Sequence, residues 1–270
     1  MSDSDYAEAN VERFAGFAEL YDVYRPALPP VIIDILTQYA AVIRPHCVVD
    51  LGSGTGLSTR LWAEHADSVI GIEPGEHMRH VAEARSSAFA NICYQSGWSS
   101  ATGLPDTCAD IVTAVQSLHW MEPTATLAEV ARVLRQGGIF AVIDPDYPPV
   151  ISWEAELLDQ NFMIQVGKRL TDGGYDRDIK RWPRGEHLER MQQSGHFRYT
   201  KSFALHHVEP GDADRMVGLA LSQASVQTLL KNGFTQAQIG IPTFRAAAER
   251  VLGDNPPPWY FTYRVHIGVK

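Results

Sequence analysis

A short apolar run that ends against three alternating glycines, Val48-Val49-Asp50-Leu51-Gly52-Ser53-Gly54-Thr55-Gly56, constrains this chain more than any other stretch. Apolar residues without polar alternation mark a strand buried on both faces. Glycines at every second position let the backbone turn sharply into a helix, and without Cβ atoms they leave amide N–H groups open to a ligand at that helix's start. The helix that follows carries Leu57, Leu61 and Trp62 on one side. The unit recurs. Strands are predicted over 69–72, 92–95, 110–115 and 139–143, with a helix over 76–88. Before the fifth strand, Leu127, Val130, Ala131 and Leu134 repeat at helical spacing, with Pro123 near the start and Gly137 just past the end. Strands separated by helices of this length predict an α/β protein with a mostly parallel, doubly wound, Rossmann-like sheet.

The flanks read differently. Apolar residues from Tyr6 to Tyr21 recur at helical spacing and end in Tyr24-Arg25-Pro26, and a further helix is predicted over 30–41. After Asp144 the rhythm breaks into helical stretches over 153–170 and 185–193, around a Gly/Asp-rich turn. A strand over 197–207, a mostly helical tract over 212–252 and a terminal strand over 260–269 complete the chain. The predicted organisation is a helical lid over 1–45, a core over 46–144 and 197–270, and a helical cap inserted after the fifth strand over 145–196.

Bulk properties exclude several functions. The net charge of −9 over 270 residues argues against tight nucleic-acid binding, which needs clustered Lys and Arg to neutralise phosphates. Arg177, Lys180, Arg181 and Arg184 form a local basic stretch, readable as a solvated loop face or as a site that draws an anionic substrate. Cys47, Cys93 and Cys108 lack paired spacing and sit in or beside apolar runs, so they read as buried, reduced thiols in a cytoplasmic protein, monomer or homodimer. Residues 1–10 contain no apolar signal core. The longest membrane candidate, 31–43, is interrupted by Asp34 and Gln38 and reads as an amphipathic helix, so no membrane partner is expected. No His-Glu-x-x-His or Cys-x-x-Cys spacing occurs, and no metal is expected.

Spacing decides what the glycine loop can hold. The dinucleotide fingerprint Gly-x-Gly-x-x-Gly fails in both registers, because Leu57 or Thr59 stands where the third glycine belongs, and the phosphate loop Gly-x-x-x-x-Gly-Lys-Ser/Thr is absent. Asp50 ends the strand immediately before the loop, where a carboxylate repels a pyrophosphate but suits an ammonium or sulfonium group. Glu73 ends the second strand, where it can accept hydrogen bonds from both hydroxyls of a ribose. A ribose-containing, cationic, phosphate-free ligand describes S-adenosylmethionine; the competing reading is that both acids merely cap helices.

Taken in order, Asp50–Gly56, Gly71-Ile72-Glu73-Pro74, Gly103-Leu104-Pro105-Asp106, Gln116-Ser117-Leu118-His119-Trp120 and Leu134-Arg135-Gln136-Gly137-Gly138 resemble the class I S-adenosylmethionine-dependent methyltransferases. More narrowly, they resemble the small-molecule, type 11-like group with a Gln-x-x-His-Trp motif, and residues 17–26 are similar to that group's N-terminal lid. The resemblance implies that the backbone of Gly52, Ser53, Gly54, Thr55 and Gly56 holds the methionine part and Glu73 the ribose. It implies that Pro74 and Met78 flank the adenine, that Gly97, Trp98 and Ser99 meet its edge, and that Tyr21 and Arg25 close over the cofactor, Arg25 pairing with its carboxylate. Relatives place an acid where this chain has Ser100.

Gln116, His119 and Trp120 follow the fourth strand and so point into the crevice where open α/β sheets bind ligands. Methyl transfer demands in-line positioning in a dry pocket. A base is needed only if the acceptor loses a proton: His119 can supply it, or can simply pack beneath the cofactor, and Tyr24 is the alternative. Tyr147, Trp153, Phe162, Met163 and Trp182 form the cap's own core or line an apolar acceptor pocket, and Gln223 and Ser225 are further polar candidates. The expected activity is methyl transfer to a small-molecule acceptor such as a carboxylate. The alternative is a cofactor-binding protein of the same fold without methyl transfer, for instance a cyclase. A nicotinamide-dependent oxidoreductase and a macromolecular methyltransferase fit less well, given the failed fingerprint and the acidic charge.

Overall fold

The computed structural model describes the backbone of residues 3–270 and the side chains from residue 8 onward. Met1 and Ser2 of the expected lid, and the side chain of Tyr6, lie outside the described residues. Seven strands form the sheet: β1 (Cys47–Leu51), β2 (Ser68–Ile72), β3 (Ile92–Gln95), β4 (Ala109–Val115), β5 (Leu134–Pro145), β6 (Tyr199–Glu209) and β7 (Trp259–Val269), in the order β3-β2-β1-β4-β5-β7-β6. The first five are parallel, whereas β7 runs antiparallel to both β5 and β6. From β1 the chain builds outward through β2 to β3, then returns to lay β4 on the other side of β1. That reversal opens a crevice beyond the carboxyl ends of β1 and β4, where ligands of such sheets bind.

Alternate residues of the central strands enter opposite layers of core. Val48 and Ile139 join the layer that holds Leu36, Trp62, Phe244 and Trp259, while Val49 and Phe140 join the layer that holds Leu127, Val130 and Met191. Both faces of β1 and β5 are therefore covered, as their unbroken apolar sequences require. The edge strand β3 is different: Ile92 and Tyr94 are half-buried, but Cys93 and Gln95 are exposed. This corrects the expectation of three buried thiols, since only Cys47 is buried and Cys108 is intermediate. An apolar run does not show that its strand has a neighbour on one side only.

The helices are α1 (Asp3–Arg13), α2 (Ala18–Tyr24), α3 (Val31–Tyr39), α4 (Leu57–Leu61), α5 (Glu76–Arg85), α6 (Pro123–Val133), α7 (Trp153–Gly173), α8 (His187–Gln193), α9 (Ala213–Leu221), α10 (Ala224–Lys231), α11 (Gln236–Ile239) and α12 (Ile241–Leu252). The helical spacing that begins at Tyr6 is divided between α1 and α2, with Gly16 at φ +85° between them. The start of α6 is set by Glu122, whose carboxylate accepts the N–H groups of Thr124 and Ala125, with Pro123 in the first turn where its missing N–H costs nothing. Helix α7 packs on α9, α10 and α12, and its Phe162 stacks on Phe244 at 4.3 Å between ring centroids. Among the described residues, no helix is long and apolar enough to cross a membrane.

Candidate cofactor and acceptor site

The loop after β1 is held by backbone bonds to the neighbouring strand: Ile72 O accepts the N–H groups of Gly52 (2.8 Å) and Ser53 (3.2 Å). Gly52 sits at φ +63°, and a Cβ there would lie 2.7 Å from Ser117 Cβ and 2.8 Å from Met121 Cε, so glycine alone allows the loop and the turn after β4 to meet. At Gly54 (φ +55°) a Cβ would meet nothing within 4 Å. That side of the loop faces open space.

Asp50 does not face this space. Fully buried, its carboxylate accepts the hydroxyls of Ser58 (2.6 Å), Thr59 (2.7 Å) and Thr113 (2.7 Å), with burial pushing its pKa up against these three bonds. The expectation of a carboxylate presented to a cationic ligand is corrected at this position: Asp50 braces β1, β4 and α4 from beneath the loop. Gly56 is likewise off the cavity wall, its bare Cα packed where a Cβ would fall 2.2 Å from Tyr94 Oη.

Above the loop lies a cavity of about 600 Å³, within the range of small-molecule sites. Gly52, Ser53, Gly54 and Thr55 form its floor. Glu73 forms a side wall, with Oε2 accepting the Gly54 N–H (2.9 Å) and Oε1 the Gly75 N–H (2.8 Å). Burial pushes the Glu73 pKa up and the two amides pull it back. Each oxygen keeps a second lone pair for a ligand. Pro74 and the buried Met78 continue this wall, and Gly97, Trp98 and Ser99 lie along it, Ser99 Oγ being paired with Thr126 Oγ1 at 2.8 Å. Ser100 lines the cavity too. The hydroxyls of Ser53 and Thr55 are buried at the floor without a hydrogen-bond partner. Both atoms are shut off from the cavity space, Ser53 Oγ turning toward β2, where a Cβ on Gly71 would stand 2.8 Å away.

The turn after β4 is strained. Gln116 has φ +53°, a left-handed conformation that costs a non-glycine residue roughly 1–2 kcal/mol and that clusters at functional sites. Gln116 and Tyr21 line the cavity. Arg25 lies behind them and does not: its guanidinium donates to Gln116 Oε1 (3.2 Å), Tyr147 Oη (3.2 Å), Ser222 O (2.9 Å) and Gln223 Oε1 (3.1 Å), and lies 4.7 Å from the Tyr21 ring centroid. All four acceptors are neutral, and Arg25 Nε has no acceptor.

His119 and Tyr24, the two candidate bases, are both off the cavity wall. Tyr24 packs on α9, its ring standing where a Cβ on Gly218 would be, 2.2 Å away. His119 is buried beside Trp120, with Nδ1 3.6 Å from Asp144 Oδ1 and with Arg184 Nη2 3.2 Å from Nε2. Burial pushes the imidazole pKa down, opposed by Asp144 and reinforced by Arg184.

The remaining wall comes from distant elements: Phe14 just after α1, Trp120 and Met121 after β4, and Trp182 before α8, whose backbone N–H donates to His119 O at 2.9 Å. Phe14 meets Trp120 edge-on at 5.4 Å. Sequence reasoning missed Phe14 and Met121, since helical spacing does not say that the helix ends at Arg13 and turns Phe14 toward the sheet. Of the five large cap residues, only Trp182 lines the cavity: Tyr147 bonds Arg25, Phe162 and Met163 pack in or against the sheet-side core, and Trp153 is exposed. The basic stretch is tied to the aromatic wall, Arg181 lying 4.5 Å from the Trp120 centroid and Lys180 4.9 Å from that of Trp182.

Comparison with known proteins agrees with this geometry. Residues 49–142 match the family model of a methyltransferase domain. An uncharacterized methyltransferase of Mycobacterium tuberculosis is 33% identical over 144 residues, which are 53% of this chain and 56% of that protein. The uncharacterized methyltransferase YcgJ of Bacillus subtilis is 27% identical over 172 residues, 63% of this chain and 65% of YcgJ. The chain thus spans about half to two thirds of the length of the curated relatives it matches. The crystal structure of YcgJ superposes with a TM-score of 0.53 at 19% identity, covering 88% of this chain and 97% of the other. A candidate type II methyltransferase from Anaeromyxobacter dehalogenans gives 0.59 at 23% identity, covering 91% and 97%. Sheet order, glycine loop and family match agree on a Rossmann-like fold of the methyltransferase type, with residues 49–142 similar to a methyltransferase domain.

Proposed function

We propose that this chain transfers the methyl group of S-adenosylmethionine to a small metabolite, and that the acceptor atom belongs to a carboxylate. The observation that carries this reading is Glu73, pinned by two amides on the wall of a cavity whose floor is a phosphate-incompatible glycine loop. The free lone pairs of Glu73 would take the ribose hydroxyls, Pro74 and Met78 would pack against the adenine, and Gly97, Trp98 and Ser99 would meet its edge. The Gly52–Gly54 backbone would hold the amino-acid end. Arg25, a cation with only neutral partners, favours a carboxylate at that end, acting through Gln116 and Tyr21 on the wall. S-adenosylmethionine supplies an electrophilic methyl group when bound; this chain positions the partners and excludes water.

The acceptor class follows from what the wall lacks. With His119 and Tyr24 both off it, an acceptor that is already ionised fits better than one that must lose a proton. Arg181 and Lys180, stacked against Trp120 and Trp182, favour an anion on that side. The three unpaired thiols suit a cytoplasmic location. The same missing base also accommodates a second reading, a cofactor-binding protein that performs no methyl transfer.

Calorimetry with S-adenosylhomocysteine tests the cofactor site: Glu73→Ala is expected to weaken binding by roughly 1–3 kcal/mol, the cost of losing charged hydrogen bonds, and unchanged affinity removes Glu73 from it. Turnover with a panel of carboxylic acids separates the two readings. Tight binding with no S-adenosylhomocysteine produced from any acid, amine or phenol favours the second.

A further inference from the structure

The carboxyl end of β5 gathers side chains for which the cavity has no use. His119 comes from the turn after β4, Asp144 from β5 and His187 from the start of α8, and one ligating atom from each lies within 4.8 Å of the others. All three are buried. The edges are short: His119 Nδ1 to Asp144 Oδ1 is 3.6 Å and His187 Nε2 to Asp144 Oδ2 is 3.8 Å. Donors bound to a tetrahedral ion at about 2.0–2.1 Å stand roughly 3.3–3.5 Å apart, so a set now within 4.8 Å would close by side-chain rotations that contract its longest edge by up to about 1.5 Å.

Its polar atoms also lack partners. Neither ring nitrogen of His187 has a hydrogen-bond partner, although the residue is 1% exposed, and Asp144 Oδ1 accepts no hydrogen bond. A buried imidazole with two unpaired nitrogens forfeits the hydrogen bonds it made to water, a cost that native structures rarely carry without an ion or water to relieve it. Two imidazoles and one carboxylate together ask for a cation. One already stands nearby: Arg184 Nε is 3.2 Å from Asp144 Oδ1, and the guanidinium lies against both nitrogens of His119. The Arg184 side chain is 43% exposed, so it can leave for solvent.

We propose that His119, Asp144 and His187 form a binding site for one divalent first-row transition ion of the zinc class, for which Arg184 is the competing internal cation. Two nitrogens and one carboxylate oxygen match the ligand preference of such ions. The remaining coordination positions would go to water or to the second oxygen of Asp144. An ion there would clip α8 and the end of β5 to the turn that sets Trp120 in the cavity wall. Its role is structural and independent of the methyl acceptor. Local motifs could not reveal it, because the three ligands come from three elements.

Cobalt(II) titrated into the full chain is the test, read by visible ligand-field absorption and competed with zinc(II). One cobalt per chain is expected, with the intense bands of a four- or five-coordinate ion, lost in Asp144→Asn and in His187→Gln and retained in the surface control His206→Gln. Arg184→Gln is expected to tighten cobalt binding about tenfold by removing a neighbouring positive charge. Absence of the bands in both the wild type and Arg184→Gln overturns the site, as does their survival in folded Asp144→Asn and His187→Gln. Should either ligand variant fail to fold, Arg184→Gln decides: tighter binding supports the site, and unchanged or weaker binding overturns it.

Discussion

The two walls of the cavity are built in different ways. On the cofactor side, residues 52–55, 73–78 and 97–99 each follow directly from a strand, and the sheet passes their positions along by backbone bonds: Gly52 and Ser53 to Ile72, and Glu73 N–H to Gln95 O at 3.1 Å. On the opposite side, where the proposed acceptor would bind, Phe14, Trp120 and Trp182 come from three distant parts of the chain and are set by the edge-on contact of Phe14 with Trp120 and by Arg181 and Lys180 over the indole faces. A ladder of backbone bonds tolerates most side-chain changes, whereas a stacked aromatic wall is defined by its side chains. On the proposed function, the first wall would hold one cofactor while the second would be free to change its acceptor.

That contrast can be broken at its strongest point. Gly52→Ala forces a Cβ into a left-handed residue and against Ser117 and Met121. We expect a loss of about 2–4 kcal/mol in urea denaturation from backbone strain and overpacking. A loss below about 0.5 kcal/mol would show that the loop is not rigidly held. On the opposite wall, Trp182→Ala should raise the acceptor KM about tenfold and leave the S-adenosylhomocysteine Kd within about twofold, because it removes binding surface from one ligand only. A comparable change in both constants would mean that the walls are not separate. Arg181→Gln should raise the KM of a carboxylate acceptor by about threefold at low salt, with the effect fading as ionic strength screens the charge; a salt-independent effect would assign it to packing on Trp120.

An effect on stability alone concerns α7, away from the cavity wall. Burial alone pushes the Asp159 carboxyl from its ordinary 3.8 up to about 6. Between these two values the folded chain holds a proton that the unfolded chain has released, so stability falls as pH rises through that window. Asp159→Asn should then stabilise the protein at pH 7 by on the order of 1 kcal/mol, with the gain disappearing below about pH 4. A gain that persists at pH 3.5 would point to a cause other than ionisation.

Much of this architecture was legible in the residues. The buried strands, the helices between them and the punctuation by Pro123 and Gly137 were visible because hydrophobic period and turn chemistry act over a few neighbouring positions. So was the split between Glu73, whose strand-end position leads straight to the cavity, and a phosphate site, which the glycine spacing excludes. Asp50 shows the limit. It occupies the same kind of strand end, but Ser58, Thr59 and Thr113 claim its carboxylate, and Thr113 arrives only because β4 pairs with β1. His119 is a second case: its motif resembles that of a pocket residue, yet the ring turns toward Asp144 and Arg184.

By itself, then, the amino-acid sequence determined which segments become buried strands, where the chain must bend without a Cβ, and which strand-end acid lines the cavity. Tertiary structure alone decided which way Asp50, His119 and Cys93 face, which aromatics meet across the cavity, and that two histidines and an aspartate converge at the end of β5. The reason is physical. Backbone conformation answers to neighbours a few residues away, but a side chain at a strand end takes its direction and partners from whichever distant element packs beside it.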